Sequence, residues 1–276
     1  MAELLLDIES NLRLGFFLSI LAVMMLWEMA APARRAEIPR LIRWSNNFAL
    51  VVVDTLVLRL AFPILAVGAA LWAEANGYGL LNLAGMSPAL KVILALLALD
   101  LVIYGQHVAF HKVPVLWRLH RLHHADQDFD VTTGLRFHPF EIVLSMALKM
   151  AVVLVLGAPA LAVLLFEIIL NGTALFNHGN VRLGPRADRI IRWFVVTPDM
   201  HRVHHSIYPE ETDSNYGFNF PWWDRLFGTY IAQPRDGHEK MRIGLFEFRT
   251  TRDQWLDAML VQPFRRARKS TRKNDS

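Results

Sequence analysis

HRLHH at residues 120–124 and HRVHH at residues 201–205 repeat one five-residue spelling in a chain that holds eleven histidines. On a helix, positions i, i+3 and i+4 cluster on one side, so each repeat is expected to offer three imidazoles to a common point. Three convergent neutral imidazoles make a strong site for a first-row transition metal. A third motif, DLVIYGQHVAFH at residues 100–111, spaces Asp100, Tyr104, His107 and His111 as one polar stripe along a helix. The three motifs hold His107, His111, His120, His123, His124, His201, His204 and His205, eight of the eleven histidines. Eight ligands exceed what one ion can use. Two metal ions sharing them, with positions left open for oxygen or water, is the economical reading, since a structural zinc site normally closes at four ligands.

Around these motifs the chain is apolar. Its 276 residues are 54% hydrophobic with a mean hydropathy of +0.28, high for a soluble protein. Three runs, 14–31, 48–72 and 89–110, are long enough to cross about 30 Å of hydrocarbon at roughly 20 residues each. The first follows acidic residues and precedes no small-residue cleavage pattern, so it is expected to remain as a membrane anchor. A fourth region, 142–176, is broken by GAPA at 157–160 into two halves somewhat short for a full crossing, and reads as a helical hairpin, re-entrant or spanning. The expected fold is an all-α integral membrane protein of about three transmembrane helices plus that hairpin, under a histidine-rich helical cap.

Charge orients it. Arg34, Arg35, Arg40 and Arg43 follow the first run, whereas residues 74–88 carry no basic residue. The positive-inside rule puts the arginine side, and with it the histidine cap, in the cytoplasm and the N-terminus outside. The basic tail FRRARKSTRK at 264–273 lacks interleaved aromatics, so anionic lipid headgroups rather than nucleic acid are its expected partner. The absence of cysteine excludes disulfides, thiolate metal sites, iron–sulfur clusters and c-type haem; any metal is held by nitrogen and oxygen.

Further residues stand near the motifs. Asp100 is a candidate partner that orients an imidazole, because an acid in a membrane helix is costly unless paired. Asp199, two residues before His201, is a candidate for the same task. His178 in FNHGN returns from the hairpin toward the motifs as a further ligand. His138 in RFHPFE is either a metal-site residue or a hydrogen-bonded turn histidine, with Glu141 beside it at the start of the next helix. His238 in RDGHEK reads as solvated. NYGFNFPWWDRLFGTY at 215–230 is too polar to cross a membrane and is expected to cap the site through Asn215, Tyr216 and Asp224, with Trp222, Trp223 and Phe227 as packing aromatics.

HVAFH, HRLHH and HRVHH in that order, with RFHPFE and FNHGN between them and NYGFNFPWWDRLFGT after them, resemble the fatty acid hydroxylase and sterol desaturase superfamily of integral-membrane oxygenases. The resemblance covers residues 97–232, dividing the chain into an N-terminal membrane region (1–96), a catalytic domain (97–232) and a polar, basic tail (233–276). It implies a histidine-rich di-metal centre of two iron ions that activates O₂ to attack a lipid C–H bond. The eight motif histidines would be ligands, and His178 matches the superfamily's intervening histidine. The chain departs from a ten-ligand pattern at Ala174, four positions before His178, where some acyl hydroxylases have another histidine.

The chain contains no GxGxxG flavin or nicotinamide fingerprint and no CxxCH, so electrons are expected from an external reductase, ferredoxin or cytochrome on the cytoplasmic face. Zinc is expected to compete in purified samples, because imidazole sites bind it readily. Hydroxylation stands ahead of desaturation. The alternative, a membrane metal transporter or metal-binding protein, would gather its ligands near the bilayer midplane, whereas nearly all of these lie beyond the apolar runs.

Overall fold

A computed structural model describes residues 2–83 and 85–266; the end of the basic tail, from residue 267, lies outside the described residues. Regular structure among the described residues is helical, apart from an isolated antiparallel bridge between Ser206 and Ile243. The membrane bundle consists of α1 (Ala2–Ala30), α2 (Arg40–Ala61), α3 (Ala66–Ala75), the one-turn α4 (Leu80–Leu83), α5 (Pro88–Lys112), α7 (Pro139–Leu156) and α8 (Ala160–Asn177), with α6 (Pro114–His124) between α5 and α7.

Five stretches are long and apolar enough to cross a membrane: Ile8–Ala30, Arg40–Leu83, Pro88–Lys112, Pro139–Leu156 and Ala160–Asn177. Their outward faces are apolar, with Leu60 87% and Val23 61% exposed, which suits lipid and not water. The chain is an all-helical membrane protein. The expected second run is not one helix, because Phe62 is extended and Pro63 cannot continue the ladder, so α2 ends there and α3 starts afresh. The hairpin halves are longer than their apolar runs suggested. Pro139 at the first helical position of α7 moves its start ahead of Ile142, giving α7 and α8 18 residues each. At 1.5 Å per residue each is about 27 Å long.

Small residues close the bundle. Ala66, Ala70, Ala95, Ala160 and Ala162 are fully buried beside Leu99, Val153, Val163 and Phe166, so α3, α5, α7 and α8 approach closely. At one end the hairpin turn meets the α3–α4 connection: Gly157 ends α7 at φ 62°, and a Cβ on Gly79 (φ 99°) would lie 2.2 Å from Gly157 N. Only glycine allows this contact.

The opposite end carries the cap. A single residue, Val113, separates α5 from α6, so the two helices fold back against each other and the first two motifs face across that corner. Short helices complete the cap: α9 (Pro185–Ile191), α10 (Pro198–His204), α11 (Pro209–Thr212), α12 (Trp222–Phe227), α13 (Gly237–Lys240) and α14 (Leu256–Val261). Residues 233–266 belong to this body. Met241, Ile243, Met259 and Gln262 are buried, and the buried Arg136 donates to Gln254 Oε1.

Candidate metal centre

Nine histidines form two convergent groups. His107, His111, His120, His124 and His204 make the first, and His123, His178, His201 and His205 the second; within each, one nitrogen per ring lies within 4.8 Å of all the others. Each HRxHH repeat is therefore divided rather than aimed at one point. His120 and His124, at i and i+4 on α6, join the first group while His123 turns to the second; on the third motif His201 and His205 join the second group and His204 the first. The 100° advance per residue explains the division: i and i+4 stand 40° apart, whereas i+3 is offset to the other side.

Backbone carbonyls fix the ring protons. His107 Nδ1 donates to Tyr216 O, His178 Nδ1 to Ala174 O and His204 Nδ1 to Ser214 O, each at 2.7 Å. A carbonyl only accepts, so in each neutral ring Nε2 is left with a bare lone pair. Those lone pairs converge. His107 Nε2 is 3.2 Å from His120 Nε2, and His178 Nε2 is 3.1 Å from His123 Nε2 and 3.0 Å from His201 Nε2. One lone pair cannot satisfy two in-line donors. Two nitrogens bound about 2.0–2.1 Å from one ion at right angles stand about 3 Å apart, which is the spacing seen here.

The residues fit metal on a second count. Ring nitrogens of His111, His124, His204 and His205 are buried with no hydrogen-bond partner, an expensive condition that a cation relieves. Burial, reinforced by neighbouring imidazoles, holds His123, His124, His201, His204 and His205 well below the usual histidine range. Desolvation pushes His120 down to about 3 and His178 to about 4. All are thus neutral near pH 7, the form that ligates.

The surrounding residues divide differently from expectation. Glu141 Oε1 lies 2.7 Å from His120 Nδ1. Asp100 does not orient an imidazole; its Oδ2 accepts from Trp223 Nε1 at 2.7 Å, fastening α12 to α5. Asp199 pairs with Arg202 Nη1 at 2.5 Å, because the i,i+3 spacing on α10 brings that guanidinium closer than any ring. His138 stands outside both groups. It caps α7, its Nδ1 accepting from Phe140 N at 3.2 Å while Nε2 donates to Leu260 O. His238 is not solvated: its side chain is 10% exposed, 3.9 Å from Asp199 Oδ2, and burial lowers it to about 4.

The segment after the third motif closes over the first group. Asn215, at φ 47°, ties the loop down by donating to Met200 O and Ile231 O. Asp224 accepts from Tyr216 N and Gly217 N, both at 2.8 Å, and so sets the Tyr216 carbonyl against His107. The Tyr216 ring rests against His107, His111 and His204, and Phe227 stacks on Tyr104.

Sequence reasoning missed the clamp that carries the second motif. Arg43 on α2 is fully buried and donates to Asp126 (Nε–Oδ1 2.8 Å, Nη2–Oδ2 2.6 Å) and to Asp130, while Asn47 reaches Thr132 at 3.0 Å. ADQDFDVTT at 125–133, with three acids at alternate positions, is the local trace of this clamp.

Two convergent groups of buried histidines, each with the donor set to hold a metal ion, stand at one end of a helical bundle whose stretches are apolar enough to cross a membrane. The sequence model of the family described as fatty acid hydroxylase matches residues 92–229, half of the chain, and the chain belongs to that family. It is 36% identical over 149 residues to the ornithine lipid hydroxylase OlsE of Rhizobium tropici, covering 53% of this chain and 44% of the relative. It is 32% identical over 175 residues to the alkylglycerol monooxygenase of Xenopus tropicalis, covering 62% and 36%. It is 26% identical over 203 residues to the Delta(7)-sterol 5(6)-desaturase ERG3B of Gibberella zeae, covering 72% and 59%. The chain thus spans less than half the length of the first two. No solved structure matches it.

Proposed function

We propose that the chain is a membrane-bound, O₂-dependent di-iron oxygenase that hydroxylates a lipid C–H bond. One observation carries the reading: in each histidine group an Nε2 lone pair fixed by a carbonyl-bound Nδ1 proton, on His107 and on His178, faces the Nε2 of a second histidine. His107, His111, His120, His124 and His204 would hold one ion, and His123, His178, His201 and His205 the other. Two iron ions bound there supply reductive activation of O₂ and removal of hydrogen from an unactivated carbon.

The chain's own residues position and seal. Phe218 packs on the apolar core of the bundle, and its ring lies 6.1 Å from His107 and 6.5 Å from His201, one histidine of each group. An acyl or alkyl chain entering between helices passes this ring to reach the histidines, and packing there selects which carbon is presented. Asn215, Tyr216 and Asp224 keep water out from the cap side. Glu141, on His120 Nδ1, steadies that ring and raises its basicity.

The segment 31–43 docks on the histidine cap: Arg34 donates to Met241 O at 2.7 Å, and Glu37 N to Asp128 Oδ1 at 2.8 Å. With four arginines on that side and none in 74–88, the cap faces the cytoplasm and the N-terminus the outside. An external ferredoxin, cytochrome or reductase meets it there. The names of the relatives make ornithine lipids and alkylglycerols the first substrates to try.

The test is elemental analysis of protein purified anaerobically in detergent, beside a His123→Ala, His204→Ala double variant that strikes one ligand of each group. About two irons per chain, lost in the variant, with oxidised lipid formed on adding reductant and O₂, is the expected result. A folded protein that takes up no iron refutes it.

A further inference from the structure

A polar cavity lies beside the histidine centre. It has a volume of about 230 Å³ and sits where the last turn of α1, the 31–39 connection and the first turn of α2 meet residues 239–243 and Arg249. At about 30 Å³ per water it has room for a polar group of several heavy atoms. It also lies at the ends of two membrane-crossing stretches, the depth of lipid headgroups.

Its lining holds a buried carboxyl oxygen without a hydrogen-bond partner and cations without an acid partner. Glu28 is buried; Oε1 accepts from Val131 N at 2.7 Å and Asn180 N at 2.6 Å, but Oε2 is buried with no hydrogen bond. Arg35, Arg40, Lys240 and Arg242, in the same lining, form no ion pair among the described residues. The remaining acids of the lining are engaged or open to solvent: Asp130 with Arg43, Glu239 with Arg182, Asp128 with two backbone N–H groups, and Glu37 exposed. A buried carboxyl oxygen without a partner is unfavourable in an empty protein, while the exposed Arg35, Lys240 and Arg242 and the half-buried Arg40 are solvated and free to take an anion. A ligand carrying an ammonium and an acid group answers both.

We propose that this cavity binds a zwitterionic polar group, its ammonium on Glu28 and its phosphate or carboxylate on Arg35, Arg40, Lys240 and Arg242. Two sources share that chemistry, the headgroup of an aminophospholipid and a soluble aminophosphate; the position at the membrane ends of α1 and α2 favours the headgroup. The site stands independently of the oxygenase reading, since neither metal nor turnover enters it.

The test uses the full chain in phosphatidylcholine nanodiscs. Short-chain phosphatidylethanolamine, short-chain phosphatidylglycerol and free phosphoethanolamine are titrated, and binding is read by native mass spectrometry and the thermal midpoint. Phosphatidylethanolamine is expected to bind at least about tenfold more tightly than phosphatidylglycerol, and Glu28→Gln to remove that preference. Arg35→Ala, Arg242→Ala, on exposed residues that leave folding intact, weakens binding by at least about tenfold. Binding of free phosphoethanolamine as tight as that of the lipid assigns the site to a soluble zwitterion; its absence assigns the site to the headgroup. Equal binding of phosphatidylglycerol by the unaltered protein, or full binding by the double arginine variant, overturns the proposal.

Discussion

His107 and His120 meet nitrogen to nitrogen at 3.2 Å, and the proton that would make this a hydrogen bond from His107 is committed to the Tyr216 carbonyl on its other nitrogen. The same arrangement recurs where His178 meets His123 and His201. Backbone carbonyls thus decide, for His107, His178 and His204, which nitrogen looks inward.

Because His204 belongs to the first group and His123 to the second, the two groups are separable. His204→Ala and His123→Ala should each remove about one of two metal equivalents, and the double variant both. Elemental analysis of the three proteins checks this; loss of all metal from either single variant would mean one indivisible site.

Glu141→Ala removes the acceptor 2.7 Å from His120 Nδ1 without touching a ligand. Metal affinity of the first group should fall about 10–100-fold with the fold retained, the usual cost of losing such a partner. Competition with a chelator of known affinity reads it directly.

Gly134 has no room for a side chain, since a Cβ there would lie 2.8 Å from Ala174 O and 3.1 Å from His178 Nδ1. Gly134→Ala should therefore disturb the carbonyl bond that orients His178 and deplete metal from the second group. Gly184, where a Cβ meets nothing within 4 Å, is the control, and Gly184→Ala should leave metal content unchanged.

Arg43→Met leaves Asp126 and Asp130 buried against each other without their cation. Breaking such a buried pair costs about 3–5 kcal/mol, so the variant should unfold well below the parent in a detergent thermal melt. An unchanged midpoint would assign the stability of the cap to other contacts.

Metal-free protein should be acid-sensitive in a defined window. Unfolded histidines titrate near 6.5, whereas burial lowers His178 to about 4 and His120 to about 3. Between those values the unfolded chain binds more protons, so stability falls as pH falls. The thermal midpoint of the apoprotein should be level above pH 7 and drop from about 6.5 toward 4. Bound metal should shift the onset to lower pH, because protons must then displace it.

How much of this was legible depends on the range of each interaction. The spacing of HVAFH, HRLHH and HRVHH is local, so the ligand types could be read from helix geometry alone, as could the apolar runs from bilayer thickness. Which group each ring joins could not, because it depends on how α5, α6, α8 and α10 cross. Asp100 shows the same limit: its need for a partner was clear from its place in a membrane helix, but the partner, Trp223, lies 123 residues away. Arg43 was read as an orienting charge, and the fold makes it the clamp of the cap.

The sequence by itself determined that this is a helical membrane protein with a histidine-rich end, since hydropathy and short helical repeats are properties of neighbouring residues. Only the tertiary structure decided which histidine faces which, that the Tyr216 carbonyl fixes the His107 proton, and where unpaired polar groups remain beside the centre. Those depend on contacts between residues far apart in the chain, and long-range packing has no signature in local spacing.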